Sequence, residues 1–204
     1  MVTNIVAKEV AQTQRNKLIL LVILVIIILL AVSCVNQSDS DWKKYMHKES
    51  GINFIYPKNW KIFDDSIPQN LEMMSDAEII IYTDDEGEQF TPNINLIIEK
   101  SPFLAPGAIE QVEMSEASYE LFGAKMGISG YERLDLERVE IGHIKAAVVT
   151  YEMVLTQTEQ SLTGKQLIVP FGQDTYILTC TALTSQWPEY KSVFDEVIQS
   201  FSLE

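Results

Sequence analysis

The chain has 204 residues, of which 47% are hydrophobic and 22% are charged, and this length suits one folded domain. It carries 15 basic and 29 acidic side chains, which give a net charge of −14 and an isoelectric point near 4.5. Residues 1–33 hold three basic side chains and one acidic side chain, so the remainder carries −16, which argues against nucleic acid or an anionic bilayer as its partner.

The N-terminal segment has the organisation of a membrane or export signal. Three basic residues precede fifteen consecutive apolar residues, Leu18 to Val32, and a polar stretch follows Cys34. This order is typical of the n-region, h-region and cleavage site of a signal peptide. The residues before Cys34 resemble the bacterial lipobox, which implies that cleavage leaves a diacylglyceryl-modified Cys34 as the mature N-terminus. Lipoboxes usually carry Leu where this chain has Ala31, and here Leu30 stands one position earlier.

An uncleaved signal anchor is the alternative interpretation, with one apolar helix from about Lys17 to Val35. This helix is slightly shorter than the roughly 20 residues that span a bilayer. Both interpretations place the C-terminal part outside, because basic residues favour the cytoplasmic side of a membrane. We therefore divide the chain into a signal peptide or anchor (1–34), a polar linker (35–41) and one domain (42–204).

Short extended segments open the domain. The runs 42–48 and 52–56 are separated by a Glu-Ser-Gly turn, which is typical of a β-hairpin. Two further strands are predicted over 77–83 and 93–100. The acidic residues 84–88 join them and are expected to form an exposed turn.

A helix is predicted from Pro106-Gly107 to about Met126, and Glu116 interrupts its apolar stripe. A loop over 127–130 follows. Four long extended runs come next, and their short links force antiparallel neighbours, so we predict a four-stranded meander. The helix stripe comprises Ile109, Val112, Tyr119, Phe122 and Met126. The four runs are 131–141, 144–155, 161–171 and 175–184.

The last element is a helix that begins at Pro188, with Glu189 in its first turn. Its apolar residues recur at helical spacing, so one side must pack on the sheet. The fold class is therefore α+β, with an antiparallel sheet of about six strands or more, covered by helices and preceded by the N-terminal apolar helix. The apolar residues are Trp187, Tyr190, Phe194, Val197, Ile198 and Phe201.

Both ends of the domain resemble a known family. The segment from Gly51 to Trp60 is similar to the "G-hydrophobic-x-F-x-Y-P-x-x-W" opening of PsbP-like domains. The segment from Tyr176 to Phe201 resembles the final strand and C-terminal helix of that family. The resemblance covers about residues 42–203 and implies the Mog1/PsbP fold, an antiparallel sheet between helices. It also implies a non-catalytic binding or assembly role, with no catalytic residue to carry over.

Metal and thiol chemistry find little support in the sequence. His47 and His143 are far apart and lack zinc-ligand spacing, so we predict surface histidines and no metal site. The acidic turn 84–88 lacks the alternating ligands of a calcium loop, and a solvated turn is favoured. Cys180 lies in an apolar strand without an activating His or Asp, so we expect a buried thiol. With Cys34 at the membrane, Cys180 has no disulfide partner.

Other motifs are incomplete. The segment 127–130 lacks the leading residues of a nucleophile elbow, and Gly164-Lys165 lacks the flanking residues of a phosphate-binding loop. The carboxylates Asp64-Asp65, or Asp135 with Glu137, would need a cleft to act as acid and base. Three aromatic residues at motif positions are assigned to the core rather than to a ligand groove: Tyr56, Trp60 and Trp187.

These observations predict a non-enzymatic binding or assembly domain with no cofactor, held on the outer face of a bacterial cytoplasmic membrane by lipid at Cys34 or by one transmembrane helix. The expected partner is an unidentified envelope protein, and no nucleic acid. One alternative is a solute-binding lipoprotein that passes a ligand to a transporter, which a deep apolar pocket of about 300 Å³ or more would favour. The other is a carboxylate-dependent envelope hydrolase, which a pocket with two carboxylates about 5 to 9 Å apart would favour.

Overall fold

The computed structural model describes residues 41–63, 76–83 and 90–204. The predicted N-terminal helix, Cys34 and the acidic turn 84–88 lie outside the described residues. Within the described ranges, no helix combines the length and the apolar character needed to cross a bilayer.

Ten strands and two helices are formed in the described part of the chain. The first five strands are β1 (Trp42–His47), β2 (Ile52–Pro57), β3 (Lys61–Ile62), β4 (Ile79–Tyr82) and β5 (Asn93–Lys100). The others are β6 (Ile128–Ile141), β7 (Ile144–Leu155), β8 (Gln160–Phe171), β9 (Asp174–Leu183) and β10 (Ser202–Leu203). The helices are α1 (Ala108–Phe122), which continues into a 3₁₀ turn (Gly123–Met126), and α2 (Trp187–Gln199).

Seven strands form one antiparallel sheet in the order β3-β4-β5-β9-β8-β7-β6. The predicted meander is confirmed as β6 to β9. Two of its links are two-residue turns that begin with Gly142 and Gly172, whose φ angles are 61° and 66°. A positive φ at the first turn residue suits the twist of a β-hairpin and costs glycine little. The α+β class with a largely antiparallel sheet is thus confirmed.

The prediction of a loop over 127–130 is wrong, because β6 already begins at Ile128. Gly127 is left-handed, with φ 74°, and ends the 3₁₀ turn. Gly130 also has a positive φ, 59°, and the register with β7 shifts between Ser129 and Glu132. Gly127 therefore marks the boundary before β6, whereas Gly130 marks a β-bulge inside this strand.

A second, three-stranded sheet has the order β1-β2-β10. The predicted β1–β2 hairpin is confirmed, and the Gly51 amide donates to the His47 carbonyl at 2.9 Å. Gly51 has φ 72°, and a Cβ there would lie 2.5 Å from the Glu204 carbonyl oxygen, so no other residue fits this position. Strand β10 was not predicted, since it contains only two residues; it pairs with β2 at Asn53 and Ile52.

The two helices cover opposite faces of the seven-stranded sheet. Consecutive strand residues point to opposite faces, and in β8 Gly164 lies opposite Tyr151 while Lys165 lies opposite Cys180. Tyr151 belongs to the core cluster that contains Val112 of α1. Lys165 bonds to Asp195 of α2. The arrangement is the predicted sheet between helices.

The face under α2 is closed by apolar side chains. Phe194 and Val197 of α2 are fully buried, and the Phe194 ring lies 6.1 Å from the Trp60 ring. Burial of such side chains stabilises the fold by about 1.5–3 kcal/mol each. Of the motif aromatics, Tyr56 and Trp60 are buried as predicted, whereas Trp187 is only half-buried and contacts Phe194 at 5.6 Å.

One ionic group ties α2 to the sheet. Asp195 accepts hydrogen bonds from Lys165 at 2.5 Å and from Lys191 at 2.6 Å. The Lys165 side chain is only 14% exposed and that of Asp195 is 23% exposed. Burial raises the pKa of Asp195, but the two lysine hydrogen bonds outweigh burial and hold this pKa below its ordinary value.

The face under α1 depends on one close contact. A Cβ at Gly164 would lie 2.4 Å from Cζ of Tyr151, a distance at which atoms overlap. Tyr151 is 4% exposed and packs among the core residues that α1 covers. The missing side chain at position 164 therefore creates the space that the Tyr151 ring fills.

We predict that Gly164→Ala lowers the free energy of unfolding by about 1–3 kcal/mol, because the added methyl group overlaps the buried Tyr151 ring. Urea denaturation measures the change. In a Tyr151→Leu background the same substitution should cost clearly less, since the overlapping ring is gone. Equal costs in the two backgrounds would contradict this account of Gly164.

We predict that Asp195→Asn destabilises the protein by about 1–3 kcal/mol at neutral pH, because Lys165 loses its counterion while remaining largely buried. The folded-state pKa of Asp195 is lowered, so its stabilisation is present above the unfolded-state value of about 4. It is lost as the pH falls through the lower folded-state value. Denaturation of wild type and variant from pH 7 to pH 2 should therefore show the stability difference shrinking below about pH 4.

Candidate functional site

The histidines are not brought together. Nδ1 of His47 lies 2.7 Å from Oγ of Ser50, and Nε2 lies 3.5 Å from Oε1 of Glu78. His47 is half-buried by these neighbours, and His143 is exposed in the β6–β7 turn. Residues 41–63, 76–83 and 90–204 contain no group of three or more His, Cys, Asp or Glu side chains placed to hold a metal ion.

The thiol of Cys180 is fully buried, as predicted. Burial raises its pKa far above the ordinary value, an effect that nearby Lys165 partly offsets. A thiol that stays protonated and inaccessible is a packing group rather than a nucleophile. Cys34 and the pair Asp64-Asp65 lie outside the described residues.

The other carboxylate pair does not form a cleft. Asp135 is exposed, and its Oδ1 accepts a hydrogen bond from the Leu136 amide at 2.9 Å. Glu137 is exposed two residues further along β6. Neither residue lines the grooves described below. Gly164-Lys165 lies within β8, where Gly164 makes room for Tyr151, and so has a structural role.

The buried residues of helix α1 lie at its N-terminal end. Its buried residues are confined to the first five positions, Ala108, Gln111 and Val112. Nε2 of Gln111 donates to Oγ1 of Thr175 at 2.6 Å and to the Pro106 carbonyl at 3.1 Å. Because Gln111 and Thr175 are both buried, these hydrogen bonds fix the start of the helix against β9.

Three tyrosines support the second half of α1. The Tyr119 ring stacks on the Tyr131 ring at 4.7 Å, and the Tyr131 ring stacks on the Tyr151 ring at 5.3 Å. Burial raises the pKa of all three phenols above the ordinary value, so they remain neutral hydroxyl groups. We call these residues the tyrosine stack; it connects α1 to β6 and β7.

The predicted interruption at Glu116 has a physical reason. Its Oε1 lies 3.1 Å from Nη1 of Arg133 on β6, so the glutamate faces the sheet as half of an ion pair. Phe122 and Met126 were predicted to share the buried stripe, but each is 50% exposed. That part of the prediction is wrong: the last stripe residue that packs against the core is Tyr119, which stacks on Tyr131.

Apolar side chains are exposed on α1 and its 3₁₀ extension. Met114 is 55% exposed and Leu121 is 73% exposed, in addition to Phe122 and Met126. Exposed single apolar residues are ordinary, but four on one helix and its extension form a surface that typically contacts another molecule. We call these four residues the α1 surface.

Three open grooves border α1. The hairpin groove, about 1010 Å³, lies between the start of α1 and the ends of β6 and β7. The tyrosine groove, about 600 Å³, lies between the second half of α1 and the start of β6, beside Tyr119 and Tyr131. A third groove, about 460 Å³, lies on the β5–β9 side and is bordered by Glu99 and Gln111. Helix α1 is thus flanked by concave surface on both sides.

Helix α1 is strongly acidic. It contains Glu110, Glu113, Glu116 and Glu120 and no Lys or Arg. Arg133 pairs with Glu116, but no ion pair joins the other three glutamates to a cation in the described part of the chain. We call these four residues the glutamate row. Together with the α1 surface, it makes this helix the best candidate for a functional site.

The sequence contained a signal for this site that the motif search missed. Met114 and Leu121 stand outside the predicted stripe, so apolar residues occur around most of the helix circumference. A helix on the surface of a soluble domain normally has one apolar face. Additional apolar positions therefore indicated a second contact surface.

Comparison with known proteins identifies the fold. No protein-family model matches the sequence, and a search of curated proteins returns no significant match. Among solved structures, cyanobacterial PsbP (CyanoP) from Synechocystis sp. PCC 6803 has a TM-score of 0.57 and 16% identity, covering 83% of this chain and 96% of that chain. LpqN from Mycobacterium tuberculosis, involved in cell envelope biogenesis, has a TM-score of 0.53 and 14% identity, covering 79% and 90%.

The Ran-binding protein Mog1p from Saccharomyces cerevisiae also matches, with a TM-score of 0.50 and 13% identity, covering 79% of this chain and 95% of that chain. The chain has the PsbP/Mog1 fold, as the resemblance at Gly51 to Trp60 and at Tyr176 to Phe201 implied. At these identities the likeness concerns the fold alone.

Proposed function

We propose that this chain is a non-enzymatic binding domain that sits on the outer face of a bacterial cytoplasmic membrane and docks another envelope protein on the α1 surface. The observation that carries this proposal is a helix whose buried residues lie in its first turns. Together with its 3₁₀ extension, the helix bears four exposed apolar side chains and has a groove on each side. Exposed apolar residues beside concave surface are typical of protein-binding sites.

The tether in this proposal comes from the sequence. The basic residues, the apolar run and Cys34 have the order of a lipoprotein signal, and an uncleaved helix gives the same location. The fold agrees with such a role, because LpqN is described as involved in cell envelope biogenesis and Mog1p as Ran-binding. A binding role rather than catalysis also fits the candidate chemistry, since Cys180 is buried and Asp135 and Glu137 lie outside the grooves.

Solute capture is a second candidate, because the hairpin groove exceeds the roughly 300 Å³ of a small-molecule site. This groove is open to solvent, however, and charged residues from α1, β6 and β7 surround its apolar floor. An apolar solute there would remain largely in contact with water. A protein segment that covers the groove and the α1 surface together fits this geometry better.

We predict that Cys34→Ala removes the lipid from the purified membrane form of the protein. Mass spectrometry should show loss of the acyl mass and an unprocessed N-terminus, and detergent partitioning should change. Cys180→Ala is the matched control, since it removes the buried thiol and should leave the lipid in place. If mass, processing and partitioning are the same in wild type and Cys34→Ala, the lipid tether is rejected and only the uncleaved helix remains.

We predict that a photo-crosslinking amino acid placed at Met114 or Leu121 of the full chain joins one and the same envelope protein in living cells. The control position is Met46 in β1, which is 50% exposed but distant in sequence and belongs to the three-stranded sheet. Adducts should be absent there. Leu121→Asp should reduce the yield of the Met114 adduct about tenfold, because a buried charge weakens an apolar contact. Equal labelling at Met46, or no adduct at either α1 position, would refute the proposed docking site.

A further inference from the structure

Within residues 41–63, 76–83 and 90–204, strand β6 forms one edge of the seven-stranded sheet and pairs only with β7. It is 14 residues long and mostly exposed, whereas the strand at the opposite edge, β3, has two residues. An edge strand presents a row of unpaired backbone donors and acceptors, which is a template for another strand. The long edge of this sheet is therefore the one that offers such a template.

The second half of β6 is regular enough to receive a strand. Its register shifts lie before Asp135, and from Asp135 to Ile141 every residue pairs with β7 in unbroken order. Ile141 and Ile144 flank the two-residue turn, so they form a hydrogen-bonded pair. Along an antiparallel strand, the backbone N–H and C=O groups of successive residues point alternately toward one neighbouring strand and toward the other side. The backbone groups of Arg138 and Glu140 therefore point away from β7, toward the free edge.

The hairpin and tyrosine grooves run along this edge beneath α1. The hairpin groove is lined by three successive residues of β6, Arg138, Val139 and Glu140. Successive side chains point to opposite faces of a sheet, so a groove that touches all three reaches the backbone at the edge. The tyrosine groove likewise touches Ser129, Gly130 and Tyr131. An added strand would lie with one row of side chains beside α1.

The glutamate row lies parallel to the same edge. Glu110 and Glu113 line the hairpin groove with Arg138, and Glu120 lines the tyrosine groove with Gly130. Ten helical residues rise about 15 Å, close to the span of three alternate positions on a strand. Alternate basic side chains on an added strand can therefore meet this row. The two grooves together are lined by five acidic and three basic residues.

We propose that the β6 edge binds an extended, basic segment of the partner protein by strand addition, with alternate Lys or Arg side chains directed toward the glutamate row of α1. This inference rests on the proposed binding function and specifies the chemistry of the partner. The charges of β6 itself, such as Glu137 and Arg138, deter unselective edge pairing and favour a strand of complementary pattern. A second copy of this chain would instead bring a second acidic helix to the edge.

The test uses the full chain in a neutral detergent and a fluorescent decapeptide of alternating Lys and Val. Two control peptides have alternating Glu and Val, which reverses the charge, and alternating Lys and Pro, which keeps the charge but removes every second amide N–H and disfavours pairing as a strand. Fluorescence anisotropy should show the Lys-Val peptide binding at least about tenfold more tightly than either control. Equal binding of the Lys-Val and Lys-Pro peptides would overturn strand addition, since charge alone would then explain the affinity.

Substitutions test separately how the backbone amides of β6 and the glutamate side chains of α1 contribute to peptide binding. Arg138→Pro removes an outward amide without breaking the ladder with β7. It should weaken Lys-Val binding about tenfold relative to Arg138→Ala, which removes the same side chain but keeps the amide. Replacing Glu110, Glu113 and Glu120 by Gln should also weaken binding about tenfold and flatten its dependence on salt. Unchanged affinity in both Arg138→Pro and the triple Gln variant would overturn the proposal.

Amide hydrogen exchange can be measured on the wild-type protein, so this test does not require any variant to fold. Bound Lys-Val peptide should slow exchange at the amides of Arg138 and Glu140. It should leave exchange at Glu137 and Val139 unchanged, because their amides already bond to β7. If the bound peptide does not slow exchange at the outward-facing amides, the edge site is overturned. If the Leu121 adduct persists while the peptide fails to bind, docking on α1 stands and this inference falls. A dimer in sedimentation that Arg138→Pro dissociates would also overturn it, because the edge would then serve self-association.

Discussion

The contact between the Tyr151 ring and the bare backbone of Gly164 connects the sheet to helix α1. Because position 164 has no side chain, the ring of Tyr151 lies over β8 and stacks on Tyr131. Tyr131 in turn stacks on Tyr119, which belongs to α1. A methyl group at position 164 would therefore displace the ring at the base of the tyrosine stack.

Both faces of the seven-stranded sheet are closed by apolar side chains. Under α2, Phe194 and Val197 are fully buried, and the ionic group at Asp195 ties the helix to β8. Under α1, the core cluster contains buried aliphatic residues such as Val112 and Val149. The difference lies further along α1, where apolar residues of the second half face solvent beside open grooves. Helix α1 therefore contributes both to the core and to the candidate recognition surface.

The sequence predicted the elements whose causes are local. Two-residue glycine turns and long β-branched runs identify the meander of β6 to β9, and Pro188 with its apolar spacing identifies α2. Elements that depend on contacts between residues distant in sequence were not predicted. Strand β10 exists because β2 offers it an edge, and Glu116 faces inward because Arg133 stands on a strand beneath it. The candidate site was missed for the same reason, since motif searches find reactive groups, whereas this site consists of shape, exposure and charge along α1.

The pairing of β2 with β10 also orders events during folding. Asn53 can pair with Ser202 only after about 150 further residues have been synthesised, so this part of the fold has a high contact order. Until then the β1–β2 hairpin is a two-stranded unit with an open edge, and such hairpins are only marginally stable in water. A chain that emerges from a ribosome or a translocon N-terminus first therefore keeps the β1–β2 hairpin without its third strand until β10 has been made, which leaves time for a chaperone to hold it.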